Sequence, residues 1–137
     1  MTLTKTYLDE LTFQINAACI EVHKQLGLGL LESIYHKCLK HEFDLHGIRY
    51  SSQVIIPIKY KGFEMEGELR YDLLIEDWIV LELKSLDFLL PVHKFQLLTY
   101  MKLMEKPKGI LINFNVVNLM KGGQQTFVNE IFRNLPE

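Results

Sequence analysis

The chain has 137 residues, 48% hydrophobic and 23% charged, enough apolar material for one packed domain and too much for a disordered chain. Its formal net charge is −2, which argues against avid nucleic-acid binding by charge alone, because that affinity comes largely from cations neutralising phosphates. No apolar run approaches the roughly 20 residues of a membrane span, and the N-terminal MTLTKTYLDELTFQ lacks the basic-then-apolar order of a secretory signal. Cys19 and Cys38 are too few for a disulfide framework and lack metal-ligand spacing. The expectation is a cytoplasmic protein without a membrane partner.

Leu8, Leu11, Ile15, Ala18, Val22 and Leu26 recur at spacings of three and four, which predicts an amphipathic helix over about 6–26, broken by Gly27 and Gly29. A second helix is expected over 30–45, with Leu31, Ile34, Tyr35, Cys38 and Leu45 inward and Gly47 past its end. The period then changes to two. Val54, Ile56, Ile58 and Tyr60 alternate with Ile55, Pro57 and Lys59, and Lys61-Gly62 reads as a turn. In the next strand Phe63, Met65, Leu69 and Tyr71 take one face, while Glu64, Glu66, Glu68, Arg70 and Asp72 take the other. Pro57 marks an edge strand or a bulge. A third strand is expected over 78–84, after a turn at Glu76-Asp77.

Pro91 suits a helix start, and Phe95, Leu98, Met101 and Leu103 supply apolar positions to about Met104. The run 110–114 reads as a strand buried on both faces. Residues 115–137 are less regular: a weak strand, a Gly122-Gly123 turn, then 126–132 as a strand or short helix. A strand reached through a helical crossover lies parallel to its neighbour. The implied fold is α/β, a mixed β-sheet flanked by helices, in a single domain spanning 1–137.

The sharpest feature is a conflict between burial and charge in Trp78-Ile79-Val80-Leu81-Glu82-Leu83-Lys84. Strand runs this apolar seldom carry charges unless those groups are paired or bind something. Glu82 and Lys84 share a face, and Asp72 ends the polar face of the preceding strand. In an antiparallel hairpin facing indices sum to a constant. If Asp72 faces Glu82, then Leu73 faces Leu81, Leu74 faces Val80, and residues 76–78 form a three-residue loop. The two carboxylates then sit side by side, close enough to share a divalent cation. A two-residue loop puts them on opposite faces.

An acid followed by Glu-x-Lys on the next strand resembles the core of the PD-(D/E)XK nuclease superfamily, with Asp72, Glu82 and Lys84 as its members. The order helix, three strands, helix, strand over 30–114 resembles that superfamily's restriction-endonuclease-like core, here with an extra N-terminal helix. Gly29-Leu30-Leu31-Glu32-Ser33-Ile34-Tyr35 resembles the signature of the GxxExxY family, a branch of that superfamily, and Gln96-Leu97-Leu98-Thr99-Tyr100 resembles the Q-x-x-x-Y helix of its exonuclease-like members. The resemblance implies a hydrolase of nucleic-acid phosphodiesters using Mg²⁺ or Mn²⁺. It implies metal ligation by Asp72, Glu82, the Leu83 carbonyl and Glu32, with Lys84 beside the attacking water. Gln96, Tyr100, Tyr35 and Arg70 would support the site or contact substrate.

Each of these residues also has a plainer reading. Asp72 and Glu82 could pair with Arg70 or Lys84; Glu32 could simply favour a helix N-terminus; Tyr35 could be core. Glu32 and His36 stand four apart, a spacing that suits two ligands of one metal, although an exposed helix histidine is the commoner outcome. His23, His41, His46 and His93 read as solvent-facing or capping. Lys59, Lys61, Arg70, Lys94 and Lys102 form a sparse rim that could contact phosphates or merely be solvated. The alternatives to a self-sufficient nuclease are a catalytically silent scaffold of the same fold, or a nuclease subunit completed by a protein partner or a second copy.

Overall fold

The computed structural model describes residues 2–137. Helix α1 (Lys5–Leu26) is capped by the Thr4 side chain, which accepts from the Tyr7 N–H, and buries Leu8, Leu11, Ile15, Ala18, Cys19 and Val22 along one stripe. Helix α2 (Glu32–Leu45) buries Tyr35, Leu39 and Phe43, a narrow stripe at four-residue spacing. The expected inward set is corrected here. Leu31, Ile34 and Leu45 face solvent, because α2 meets α1 and the sheet along a single line and residues a quarter-turn away project past it.

Strands β1 (Tyr50–Tyr60), β2 (Phe63–Ile75), β3 (Ile79–Lys84), β4 (Lys108–Asn113) and β5 (Gln124–Val128) form one sheet in that spatial order. All neighbours are antiparallel except β3 and β4, which run parallel through the crossover helix α3 (Pro91–Leu103). One face packs Leu73, Ile75, Ile79, Leu81, Leu83, Ile110 and Ile112 under α1 and α2. The other packs Ile56, Tyr71, Leu74, Val80 and Leu111 under α3. Strand β4 is buried throughout, as its apolar run requires.

Helix α3 sits directly on the β4 backbone. A Cβ at Gly109 would lie 2.6 Å from Met101 Sδ and 3.0 Å from Leu97 Cδ1. That close approach narrows the contact line to Leu97, Tyr100 and Met101 and leaves Phe95 and Leu103 exposed, correcting their expected inward placement.

The C-terminal stretch resolves in parts. Residues 115–118 form bends rather than a strand, Leu119–Gly123 forms a turn whose backbone is not helical at Lys121 and Gly122, and the 126–132 segment is both strand and helix. Strand β5 ends at Val128, and Asn129 then caps α4 (Glu130–Arg133). Backbone bonds from Lys5 and Thr6 to Pro136 and Glu137 join the two chain ends. No helix is long and apolar enough to cross a membrane among the described residues.

The β1–β2 pair outgrows the rest of the sheet. Strand β3 pairs with β2 only at Leu73, Leu74 and Ile75, so beyond Asp72 the two long strands pair with each other alone. Pro57, on this edge strand, lies at a register shift between Ile56 and Ile58, where Gly67 across from it adopts φ +81. The ribbon closes on Lys61-Gly62, both at positive φ, +47 and +85, as a two-residue hairpin turn requires.

Candidate metal centre

The β2–β3 turn places Glu76 and Asp77 at φ +50 and +65, giving a loop of three residues, 76–78. The register is Leu73↔Leu81, Leu74↔Val80 and Ile75↔Ile79, the one in which Asp72 and Glu82 come next and face each other. There the ladder stops and side chains replace it. The Asp72 N–H donates to Glu82 Oε1 at 2.8 Å, and the Leu83 N–H donates to Asp72 Oδ2 at 2.8 Å. The strands splay, and the alternation of β2 slips. Tyr71 and Leu74 both face α3, whereas Leu73 faces α1 and α2. The uniform alternation expected through Asp72 is therefore broken at Asp72 itself. Across β1, Gln53 takes φ +53 between the pairs Ser52↔Leu73 and Val54↔Tyr71.

Glu82 is 6% exposed. Burial pushes its carboxyl well above the ordinary range; Asp72 and, less strongly, Glu32 add to that, while the Asp72 N–H and Lys84 oppose it. Glu32, at the start of α2, is raised by burial and by Asp72 and drawn back by Lys84. Four charged groups from three elements thus act on one another.

The approach of Glu32 is built by the loop before it. Gly29 adopts φ +91, a conformation that favours glycine. The Tyr35 hydroxyl donates to the Gly27 carbonyl at 2.7 Å and accepts from the Leu30 N–H at 3.2 Å. Ser85, next to Lys84, donates its hydroxyl to the Leu30 carbonyl at 2.6 Å. The start of α2 is thereby tied to the end of β3. Tyr35 itself is fully buried and stacked on Phe114 at 4.4 Å, so it shapes the loop from the core.

Two residues join this group that sequence reasoning undervalued. His36 is half-buried, with Nε2 3.3 Å from Ser52 Oγ. Its pKa is lowered, chiefly by burial, while Asp72 pulls it back up through its carboxylate and a backbone hydrogen bond. The signal was the four-residue spacing from Glu32, which puts both on one helix face. The Tyr71 hydroxyl is buried without a hydrogen-bond partner among the described residues, its pKa pushed up to about 12 by burial, with Asp77 and Glu82 adding. Tyr100, buried on α3, has its hydroxyl raised by burial, then by Glu82 and Asp72, and its ring lies 6.4 Å from that of Tyr71. Gln96 is exposed one turn earlier on α3, and Arg70 is exposed on β2 opposite Ile55. Three of the other histidines have structural partners, while His41 is exposed on α2. His23 meets the Val116 carbonyl, His46 pairs with Glu42, and His93 accepts from the Leu90 N–H at the start of α3.

The donor set suits an open cation site. Each facing carboxylate spends one oxygen on a backbone N–H and has a second to offer. Magnesium typically takes one or two carboxylates and completes its shell with water and substrate phosphate. No group of three or more His, Cys, Asp or Glu side chains stands close enough together to hold a metal ion among the described residues, so the carboxylates that the geometry brings face to face are Asp72 and Glu82, without Glu32.

Comparison with curated proteins and with solved structures gave no match. A family model described as the PD-(D/E)XK nuclease superfamily matches residues 9–127, a span that includes Glu32, Asp72, Glu82, Lys84 and Tyr100. With its mixed sheet, flanking helices and α3 crossover, the chain belongs to the PD-(D/E)XK nuclease superfamily and has its restriction-endonuclease-like fold.

Proposed function

We propose that this chain is a divalent-metal-dependent nuclease of the GxxExxY branch, its 137 residues acting as a single catalytic domain. The observation that carries this reading is the Asp72–Glu82 pair, a half-buried and a buried carboxylate facing each other where the strands part, offset by the Asp72 N–H and by Lys84. Buried like charges are costly and persist where they bind something.

Asp72 and Glu82 would hold Mg²⁺ or Mn²⁺, with the Leu83 carbonyl and Glu32 as further oxygen donors. Bound there, the ion would supply Lewis acidity toward a phosphate oxygen and acidify a coordinated water. Lys84, two residues from Glu82 on the same strand face, would orient the attacking water and stabilise charge developing on the phosphate. Tyr100 and Gln96 face substrate from α3, and His36 steadies Asp72 from α2. Arg70 belongs to the outer rim.

The test is Mg²⁺ and Mn²⁺ binding by calorimetry and thermal shift on wild type, Asp72→Ala and Glu82→Ala. Metal at 100 times its dissociation constant stabilises wild type by about 2.7 kcal/mol. Both variants lose that increment, and with it metal-dependent cleavage of nucleic acid. Absence of metal binding by the wild type at millimolar concentration would remove the self-sufficient nuclease and leave either a site completed by a partner or substrate phosphate, or the silent scaffold.

A further inference from the structure

The β1–β2 ribbon leaves the sheet at the candidate site and carries its α3-facing side outward with it. On that side Val54, Ile56, Leu69 and Tyr71 pack under α3. Farther out Ile58 faces Met65, both half-buried, and Tyr60 faces Phe63, each 63% exposed. Tyr60 and Phe63 are directly paired across the hairpin, and the Lys61 ammonium lies 5.4 Å from the Tyr60 ring centre. Lys59 is occupied by Glu64 at 3.6 Å, both exposed. Val80 is on the same sheet face, and Glu82, two residues on, follows it. By that alternation Glu82 and the aromatic end fall on the α3-facing side of the sheet.

The ribbon runs eight residues from Tyr71 to Phe63, roughly 26 Å at about 3.3 Å per residue. That is about the length of seven or eight stacked nucleotides at ~3.4 Å each. With a net charge of −2, the chain has little general attraction for phosphates, so affinity for a nucleic acid has to come from contacts of another kind. Exposed aromatic rings supply one, because every base has a face to stack, and only an unpaired base can present it freely. A duplex hides its bases and offers chiefly phosphates, for which this surface holds few cations.

We infer that the outer end of the β1–β2 ribbon, Tyr60 and Phe63 with Lys61, is a stacking platform for unpaired bases, making single-stranded nucleic acid the substrate class; this rests on the nuclease reading above. The strand crosses the Asp72–Glu82 centre and lies along the ribbon. Its bases stack on the two rings, and Lys61 meets a neighbouring phosphate. The turn at Lys61-Gly62 and the shift at Pro57 set the angle at which the rings meet the strand.

The experiment uses fluorescence anisotropy with a labelled 20-nucleotide DNA strand and the matching duplex, in Ca²⁺, which takes the same oxygen ligands as Mg²⁺. The variants are Tyr60→Ala, Phe63→Ala, their double, Tyr60→Phe and Lys61→Ala, with Mg²⁺ calorimetry run on each. The platform requires tighter binding of the single strand than the duplex. It also requires a loss of about tenfold for each ring removed, near-wild-type affinity in Tyr60→Phe, a smaller loss in Lys61→Ala, and unchanged Mg²⁺ binding throughout. Unchanged strand affinity in the double variant overturns the platform, as does equal or tighter duplex binding by the wild type. A wild-type dimer that the double variant converts to monomer, with no change in DNA affinity, assigns the patch to a second copy and also overturns it. The self-sufficient nuclease fails separately, through absent Mg²⁺ binding by the wild type.

Discussion

Asp72 and Glu82 each occupy a backbone hydrogen-bonding position of the other's strand, Glu82 accepting from the Asp72 N–H and Asp72 from the N–H of Leu83. Without a cation this closes the gap between β2 and β3 at an electrostatic cost, because Glu82 is buried and faces a second carboxylate. A group whose folded pKa is raised contributes stability that is full below its unfolded pKa and lost as pH rises through the folded one. Metal-free protein therefore loses stability as pH climbs above about 4.3, the ordinary glutamate value. Glu82→Gln removes this part of the slope. Thermal unfolding in EDTA at successive pH values checks it, and at the alkaline end the variant is more stable by at least about 1.4 kcal/mol, the equivalent of one pKa unit. Parallel pH profiles for the two proteins would refute the account.

The site was legible in sequence to the extent that parity and burial speak. Glu82 stood out as a charge in an apolar run, and the three-residue loop with its register followed from requiring Asp72 to face it. What did not show was anything set by packing between layers. Leu31, Ile34 and Phe95 are apolar residues at helical spacing, yet they face solvent, because each helix contacts its neighbours along one narrow line. The slip in β2 at Asp72 has no local sequence mark, since it arises where three strands of unequal length diverge. His36 looked like any exposed helix histidine until the loop latched by Tyr35 and Ser85 brought α2 against Asp72.

Lys108 makes a second buried-charge prediction away from the site. Its ammonium lies 2.9 Å from Asp9 and 5.2 Å from the Phe132 ring centre, with the lysine side chain 5% exposed and the aspartate 65%. Asp9→Ala strands a buried cation and costs about 1–3 kcal/mol, less than a fully buried pair because the aspartate is mostly in water. Lys108→Met removes the charge but keeps the stem, so it is close to neutral. Urea unfolding of both variants decides; equal losses would show that the ion pair itself, rather than relief of a buried charge, matters.

Gly109 sets how closely α3 approaches β4. Gly109→Ala forces a methyl group to within 2.6 Å of Met101 Sδ. Met101 yields at its flexible end, while Leu97 Cδ1 at 3.0 Å has less room. The cost is about 1–3 kcal/mol of overpacking. On the proposed nuclease reading α3 carries Tyr100 and Gln96 toward substrate, so its displacement would weaken cleavage more than it weakens Mg²⁺ binding at β2 and β3. Calorimetry beside a cleavage assay separates the two, and a variant that keeps full activity would show that α3 does not touch substrate.

Tyr71 gives the converse case, a polar atom whose removal helps the isolated fold. Its hydroxyl is buried and unpartnered among the described residues, and its ring packs with Ile56, Leu74 and Tyr100. An unsatisfied buried hydroxyl costs about 1–3 kcal/mol. Tyr71→Phe keeps the ring and is therefore neutral to stabilising by about 1 kcal/mol in metal-free protein. The same hydroxyl lies near Glu82, which adds to its raised pKa, so a phosphate or water entering the centre would supply its missing partner. On the proposed nuclease reading, Tyr71→Phe would lower the rate of cleavage while leaving the melting temperature unchanged or higher. A variant less stable than wild type would mean the hydroxyl is already hydrogen-bonded in solution and has no place in the reaction.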